Sequence, residues 1–146
     1  MPINPYINFN GNCREAVEFY ARVFRTAPPK FMTFGEMPSD PSSPVPDQAR
    51  DRIMHTQVEI AGTPVMFSDT FPGMDFVVGN NVSLAVVTPD REEILRAYNE
   101  LKQDGSVQME LQETFWSKLY GIVKDKCKEE NNHRAECNNN RFSEFK

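Results

Sequence analysis

Residues 5–24, PYINFNGNCREAVEFYARVF, open with a change of hydrophobic period. Ile7 and Phe9 alternate with polar neighbours, the two-residue period of a strand with one buried face. Asn10-Gly11-Asn12 interrupts the alternation, and Asn12 is placed to cap a helix by accepting a backbone N–H. Ala16, Phe19, Tyr20, Val23 and Phe24 then recur at helical spacing, until Ala27-Pro28-Pro29 ends the pattern. This pattern predicts a strand, a tight turn and an amphipathic helix. Further strands are predicted over 30–36 and 53–60, and over 64–69 after the turn at Ala61-Gly62-Thr63. Residues 37–52 are rich in Pro, Ser and Asp and read as a long loop, of the kind that covers a site or stays disordered.

A second unit of the same form begins at Val82. Leu84 and Val86 alternate, Thr88-Pro89-Asp90 turns, and Ile94, Tyr98 and Leu101 repeat the helical face. Ala16, Val17, Tyr20 and Val23 correspond at one constant offset to Ile94, Leu95, Tyr98 and Leu101, as in a duplicated module. Asp104-Gly105 ends this helix, with Gly105 placed to terminate it. Strands are predicted over 107–111 and 118–124 around a bend at 112–117. From 125 onward the chain is dense in Asn, Glu and Lys and carries no convincing strand. The predicted organisation is a first βαβββ module over 1–79, an incomplete second module over 80–126 lacking its last strand, and a divergent polar tail over 127–146.

Composition narrows the function classes. A length of 146 residues suits one domain or two small fused halves, and eleven Phe give the core bulk. A net charge of −5 offers no electrostatic case for nucleic acid or an anionic membrane surface. No apolar run approaches the ~20 residues needed to span a bilayer. The opening MPINPY has neither the basic nor the apolar region of a signal peptide, so a cytoplasmic location is expected. Cys13, Cys127 and Cys137 are odd in number and far apart, which favours free thiols over a disulfide framework.

Four strings, PYINFNGNCREAVEFY (5–20), MHTQVEIAGTPVMFSD (54–69), NNVSLAV (80–86) and LQETFWSKLYGIVKDK (111–126), resemble the vicinal oxygen chelate superfamily of glyoxalases, bleomycin-resistance proteins and extradiol dioxygenases. Within it the likeness is to the PhnB-like subgroup, often labelled demethylubiquinone methyltransferase-like. The resemblance implies an α+β fold of paired βαβββ modules, each supplying a curved sheet, with a ligand cavity enclosed between them. Metal-dependent members place His, Gln and Glu on the first and last strands of each module. Here the corresponding positions fall near Pro5, Met66 and Ser83, with the fourth in the divergent tail, so no metal or other cofactor is expected. The methyltransferase label finds no Gly-rich, nucleotide-binding loop to support it.

The candidate ligand-binding residues are His55, Met66, Ser68, Trp116 and Tyr120. Two readings stand open for His55: a half-buried residue bonded to a neighbouring strand, or a hydrogen-bonding or acid–base group in the cavity, with Gln57 on its face. Met66 and Ser68 share one face of their strand, and Val65 and Phe67 the other; one face must meet the helix. Asp69 reads as a turn residue, and Ser68 has neither a G-x-S-x-G setting nor a nearby base for hydrolase chemistry. Phe115, Trp116 and Tyr120 form an aromatic group beside the bend, either core or pocket wall. Cys127, His133 and Cys137 have a C-x5-H-x3-C spacing, too few and too open for structural zinc. The expected function is binding of, or resistance to, a small, mostly apolar molecule between the modules, without a metal. The alternatives are a metal-dependent enzyme on a vicinal-oxygen substrate and a dimeric scaffold. A homodimer is expected from the open edge that a missing strand would leave on 118–124.

Overall fold

The structure is a computed structural model that describes residues 3–38, 41–79, 81–103, 105–125 and 141–145. The chain divides into two compact units, Met1–Val77 and Val78–Lys146. The first contains β1 (Tyr6–Phe9), α1 (Cys13–Val23), β2 (Met32–Thr33), a 3-10 turn (Phe34–Glu36), the single-turn α2 (Asp47–Arg50), β3 (Ile53–Ile60) and β4 (Thr63–Asp69). Its sheet runs in the order β1-β4-β3-β2, with β1 and β4 parallel and the other neighbours antiparallel. The second unit contains β5 (Ser83–Val86), α3 (Arg91–Gln103), β6 (Ser106–Gln112), β7 (Tyr120–Lys124) and β8 (Arg141–Phe145), in the sheet order β5-β8-β7-β6. β5 and β8 are parallel and the remaining pairs antiparallel, so the two units share one βαβββ topology.

β8 corrects the expectation that the second module lacks its last strand. β5 and β7 turn their backbone groups to one slot between them, and five residues suffice to fill it. The polar composition of 125–146 hides so short a segment. With β8 in place, β7 is paired on both sides, and the open edge from which a dimer was expected is absent. Residues 127–140, with Cys127, His133 and Cys137, lie outside the described residues.

In the first unit Phe9, Val65 and Phe67 lie on the sheet face that α1 covers with Val17, Tyr20 and Ala21, all of them buried. The Tyr20 ring stacks on Phe67 at 5.9 Å, and Phe67 on Phe9 at 6.3 Å. Burying each such side chain contributes roughly 1.5–3 kcal/mol. The long loop is anchored, since Ala49 of α2 is fully buried and Arg50 O lies 3.0 Å from where a Cβ on Gly35 would be. The predicted strand over 30–36 shortens to Met32–Thr33 before the 3-10 turn.

The ends of α1 differ from expectation at both sides. Asn12 is the N-cap residue but makes no side-chain capping bond. The carboxylate of Asp69, at the end of β4, holds this end of the helix from far along the chain: its Oδ1 accepts from Gly11 N–H at 2.8 Å and from Cys13 N–H at 3.0 Å. The other oxygen, Oδ2, accepts from Ile53 N–H at 2.8 Å. At the C-terminus Thr26 N–H donates to Ala21 O and Arg25 N–H to Arg22 O, a Schellman closure that ends the helix before the prolines. Arg25 takes the left-handed position with φ 51°, and Ala61 does the same in the two-residue β3–β4 turn with φ 47°. Left-handed backbone strains any residue with a Cβ. Arg25→Gly and Ala61→Gly are each expected to stabilise the protein by about 0.5–1 kcal/mol, read as a rise of ~1–4 °C in melting temperature. A fall in melting temperature for either variant would refute that account.

α3 buries Ile94, Ala97, Tyr98 and Leu101. Unlike α1 it is capped locally, Asp90 Oδ1 accepting from Glu92 N–H and Glu93 N–H. The Tyr98 hydroxyl donates to Glu110 Oε2 at 2.9 Å and to Met109 O at 3.1 Å, its one proton divided between them. Burial first, then the Glu110 carboxylate, push its pKa up from 10.0 to about 12. Burial likewise holds the Cys13 thiol well above its ordinary range, with Asp69 adding to the effect. A raised pKa means that the folded chain holds the proton more tightly than the unfolded one. For Tyr98 the stabilisation is therefore complete below pH ~10 and is lost as pH rises toward ~12, by up to about 1.4 kcal/mol per unit. Urea midpoints across that window should fall less steeply for Tyr98→Phe than for the unaltered protein; equal slopes would rule the mechanism out.

Candidate functional site

The face of the first sheet opposite α1 carries the candidate chemistry. Register sets it: Tyr6 pairs with Met66 and Met66 with Gln57, while Asn8 pairs with Ser68. Two residues along β3 from Gln57, His55 stands on the same face and pairs with Met32. Tyr6, Asn8, Gln57 and Met32 are exposed, His55 and Met66 half-buried, and Ser68 buried. The alternating residues Val65, Phe67, Thr56 and Val58 are buried on the opposite side.

Two polar pairs organise this face. Tyr6 Oη reaches over the intervening β4 to lie 3.5 Å from His55 Nδ1, the rings 6.1 Å apart and tilted by 45°. The Ser68 hydroxyl donates to Asn8 Oδ1 at 2.9 Å. Both pairs sit on strand backbone, which fixes their spacing. The face therefore offers a phenol, an imidazole, amides and a hydroxyl around the thioether of Met66. Such groups can hydrogen-bond and stack on a neutral or aromatic molecule.

His55, Met66 and Ser68 thus share one face. Trp116 and Tyr120 belong to the second unit. There Thr114 and Ser117 close the bend through Thr114 N–H to Ser117 O at 2.9 Å and Ser117 N–H to Thr114 Oγ1 at 3.1 Å. Trp116 packs edge-on to Phe115 at 4.4 Å and to Tyr120 at 5.6 Å. Phe115 is 97% exposed and Trp116 51%, so this group is not core. Tyr6 and Asn8 escaped the sequence reading. Their signal was present in the alternation with Ile7 and Phe9, which sets them on the polar face, but their neighbours follow only from the parallel pairing of β1 with β4.

Asp69 is not a turn residue of the ordinary kind. It is 4% exposed and spends both oxygens on backbone N–H groups, so it is a structural cap.

A metal, which the superfamily resemblance implies for some members, can be tested against the side chains. Pro5 and Met66 do meet, Met66 N–H donating to Pro5 O at 3.0 Å, yet proline has no ligating side chain and a thioether is a poor ligand for a hard divalent ion. Ser83 stands exposed at the start of β5. Among the described residues no group of three or more His, Cys, Asp or Glu comes together as a metal site would require. The described residues do not fit a metal. Among them, too, no helix is long and apolar enough to cross a membrane.

Comparison with known proteins agrees with this architecture. Residues 2–127 match the family described as 3-demethylubiquinone-9 3-methyltransferase. The chain is 33% identical over 135 residues to Protein YjdN of Escherichia coli K12, covering 86% of this chain and 89% of that protein. Among solved structures, PA1353 from Pseudomonas aeruginosa is similar with a TM-score of 0.79 and 27% identity, over 99% of this chain and 96% of that one. The PhnB protein from Bacillus cereus gives 0.67 and 21%, covering 99% and 98%. The fosfomycin resistance protein FosX from Listeria monocytogenes gives 0.59 and 10%, covering 99% and 91%, a likeness of fold. The chain belongs to the family described as 3-demethylubiquinone-9 3-methyltransferase, and its fold is of the glyoxalase/bleomycin-resistance-like kind.

Proposed function

We propose that the protein binds a small neutral or aromatic molecule on the polar face of its first sheet and does so without a metal, in a binding or resistance-type role. The observation that carries this reading is the pairing of Tyr6 with His55 and of Asn8 with Ser68 on adjoining rows, where Pro5 and Met66 stand in place of metal ligands. Recognition then rests on packing against Met66 and on a few hydrogen bonds. The methyl-transfer activity in the family's description is not carried over. A thermal-shift screen of neutral and aromatic compounds, with hits confirmed by calorimetry, supplies the ligand. His55→Ala is expected to weaken its binding by about 1–2 kcal/mol through a lost hydrogen bond. Unchanged affinity in that variant would remove His55 from the site. Elemental analysis of protein grown with added zinc, nickel, iron and manganese tests the other half: about one tightly held ion per chain would overturn the metal-free reading. Trp116, the single tryptophan, reports by its emission whether the same ligand reaches the second unit's aromatic group.

A further inference from the structure

Asn10 is the one asparagine in the chain followed directly by glycine, and both residues are exposed. Glycine leaves its own backbone nitrogen unhindered, so Asn-Gly is the sequence in which intramolecular attack on an asparagine side chain is easiest. The Gly11 nitrogen loses its proton to solvent base and bonds to Asn10 Cγ. The side-chain nitrogen leaves as ammonia, and a five-membered succinimide forms. Water then opens the ring at either carbonyl, giving aspartate or isoaspartate.

In the folded chain the two reacting groups are tied in different directions. Gly11 N–H donates to Asp69 Oδ1 at 2.8 Å, and a neighbouring carboxylate opposes loss of that proton. Asn10 Oδ1 accepts from Arg52 Nη1 at 3.1 Å and from Thr70 Oγ1 at 3.4 Å. Arg52 is itself anchored, donating to Thr70 O at 2.8 Å. The guanidinium has a second effect: it draws electron density from Asn10 Cγ and would stabilise the oxyanion formed on attack. The electrophile is thus primed while the nucleophile is withheld. We propose that Asn10–Gly11 is a latent deamidation site, kept unreactive by the Asp69 carboxylate. Conversion to isoaspartate would insert an extra methylene into the backbone next to Gly11. The Gly11–Asp69 bond would not re-form in register, so a transient opening of the α1 anchor would become permanent.

The test follows deamidation of the full chain at mildly alkaline pH by peptide mass spectrometry, as a gain of about 1 Da at residue 10 with isoaspartate resolved chromatographically. Three samples are compared: the native protein, the protein unfolded in urea, and folded Asp69→Asn. The native protein is expected to react at least about tenfold more slowly than the unfolded chain. Folded Asp69→Asn should react several-fold faster than the native protein. Equal rates in native and unfolded protein, or a folded Asp69→Asn that keeps the native rate, would overturn the proposal. Should Asp69→Asn fail to fold, the Gly11 amide decides the matter in the unaltered protein. Native deamidation must rise with Gly11 hydrogen exchange as sub-denaturing urea is added. Deamidation that proceeds while this amide stays protected has the same overturning force.

Discussion

Asp69→Ala is expected to destabilise the protein by about 3–5 kcal/mol, enough to leave much of the population unfolded at 37 °C. The carboxylate is 4% exposed and accepts backbone N–H groups from three places: Gly11, Cys13 and Ile53. Each of these bonds is charge-assisted and contributes roughly 1.5–3 kcal/mol, and water cannot replace them freely at a buried position. The negative charge also meets the positive end of the α1 dipole. One side chain thereby joins the end of β1, the start of α1, the start of β3 and the end of β4. Asp69→Asn keeps one oxygen but sets an NH2 against a backbone N–H, so a loss of about 2–3 kcal/mol is expected. Urea unfolding followed by circular dichroism measures both. A loss under about 1 kcal/mol for the alanine variant would mean that the three N–H groups find other partners.

The second large effect is expected at Gly105, where Gly105→Ala should cost about 2–4 kcal/mol. The glycine is needed here for space. A Cβ here would collide with Lys124 O, lie 2.7 Å from Leu101 O and 3.2 Å from Asp125 Cα. All three are backbone atoms, which cannot swing aside as a side chain would. The end of α3 and the end of β7 approach this closely only because residue 105 has no side chain. Trp116 lies in the same unit and is the only tryptophan, so its emission follows this loss directly. Wild-type urea midpoints by Trp116 fluorescence for Gly105→Ala would show that the chain can shift there at little cost.

The legible parts of the fold were those set by short-range period. Strand alternation separated Val65 and Phe67 from Met66 and Ser68, and the 3.6-residue period placed Tyr20 and Tyr98 in the core. Even there the period gave a face rather than a roster: Cys13 and Ala21 are buried on α1, while Phe19 is only partly covered, with Arg22 over its ring. What sequence could not supply was long-range pairing. Asn12 has the right chemistry for a local cap, but an aspartate 57 residues on is better placed, and nothing local distinguishes the two. Tyr6 and His55 are 49 residues apart and meet only because β4 brings β1 beside β3. β8 was missed for a different reason. Its five residues stand at the end of a stretch dense in Asn, Glu and Lys, and its ladder is made with partners that lie well back in the chain.

In both units the last strand is inserted next to the first, between it and the third. A chain made from its N-terminal end therefore carries β1 unpaired until 63–69 has emerged, and β5 unpaired until 141–145 has emerged. Synthesis sets the order of assembly: the first sheet can close while the second is still being translated, and the second closes on its final five-residue strand. Until that strand arrives, the place between the first and third strands of each unit is unfilled, and another copy of the same strand would match it in register. Crowding of nascent chains, rather than the finished fold, is where this architecture is exposed to strand exchange.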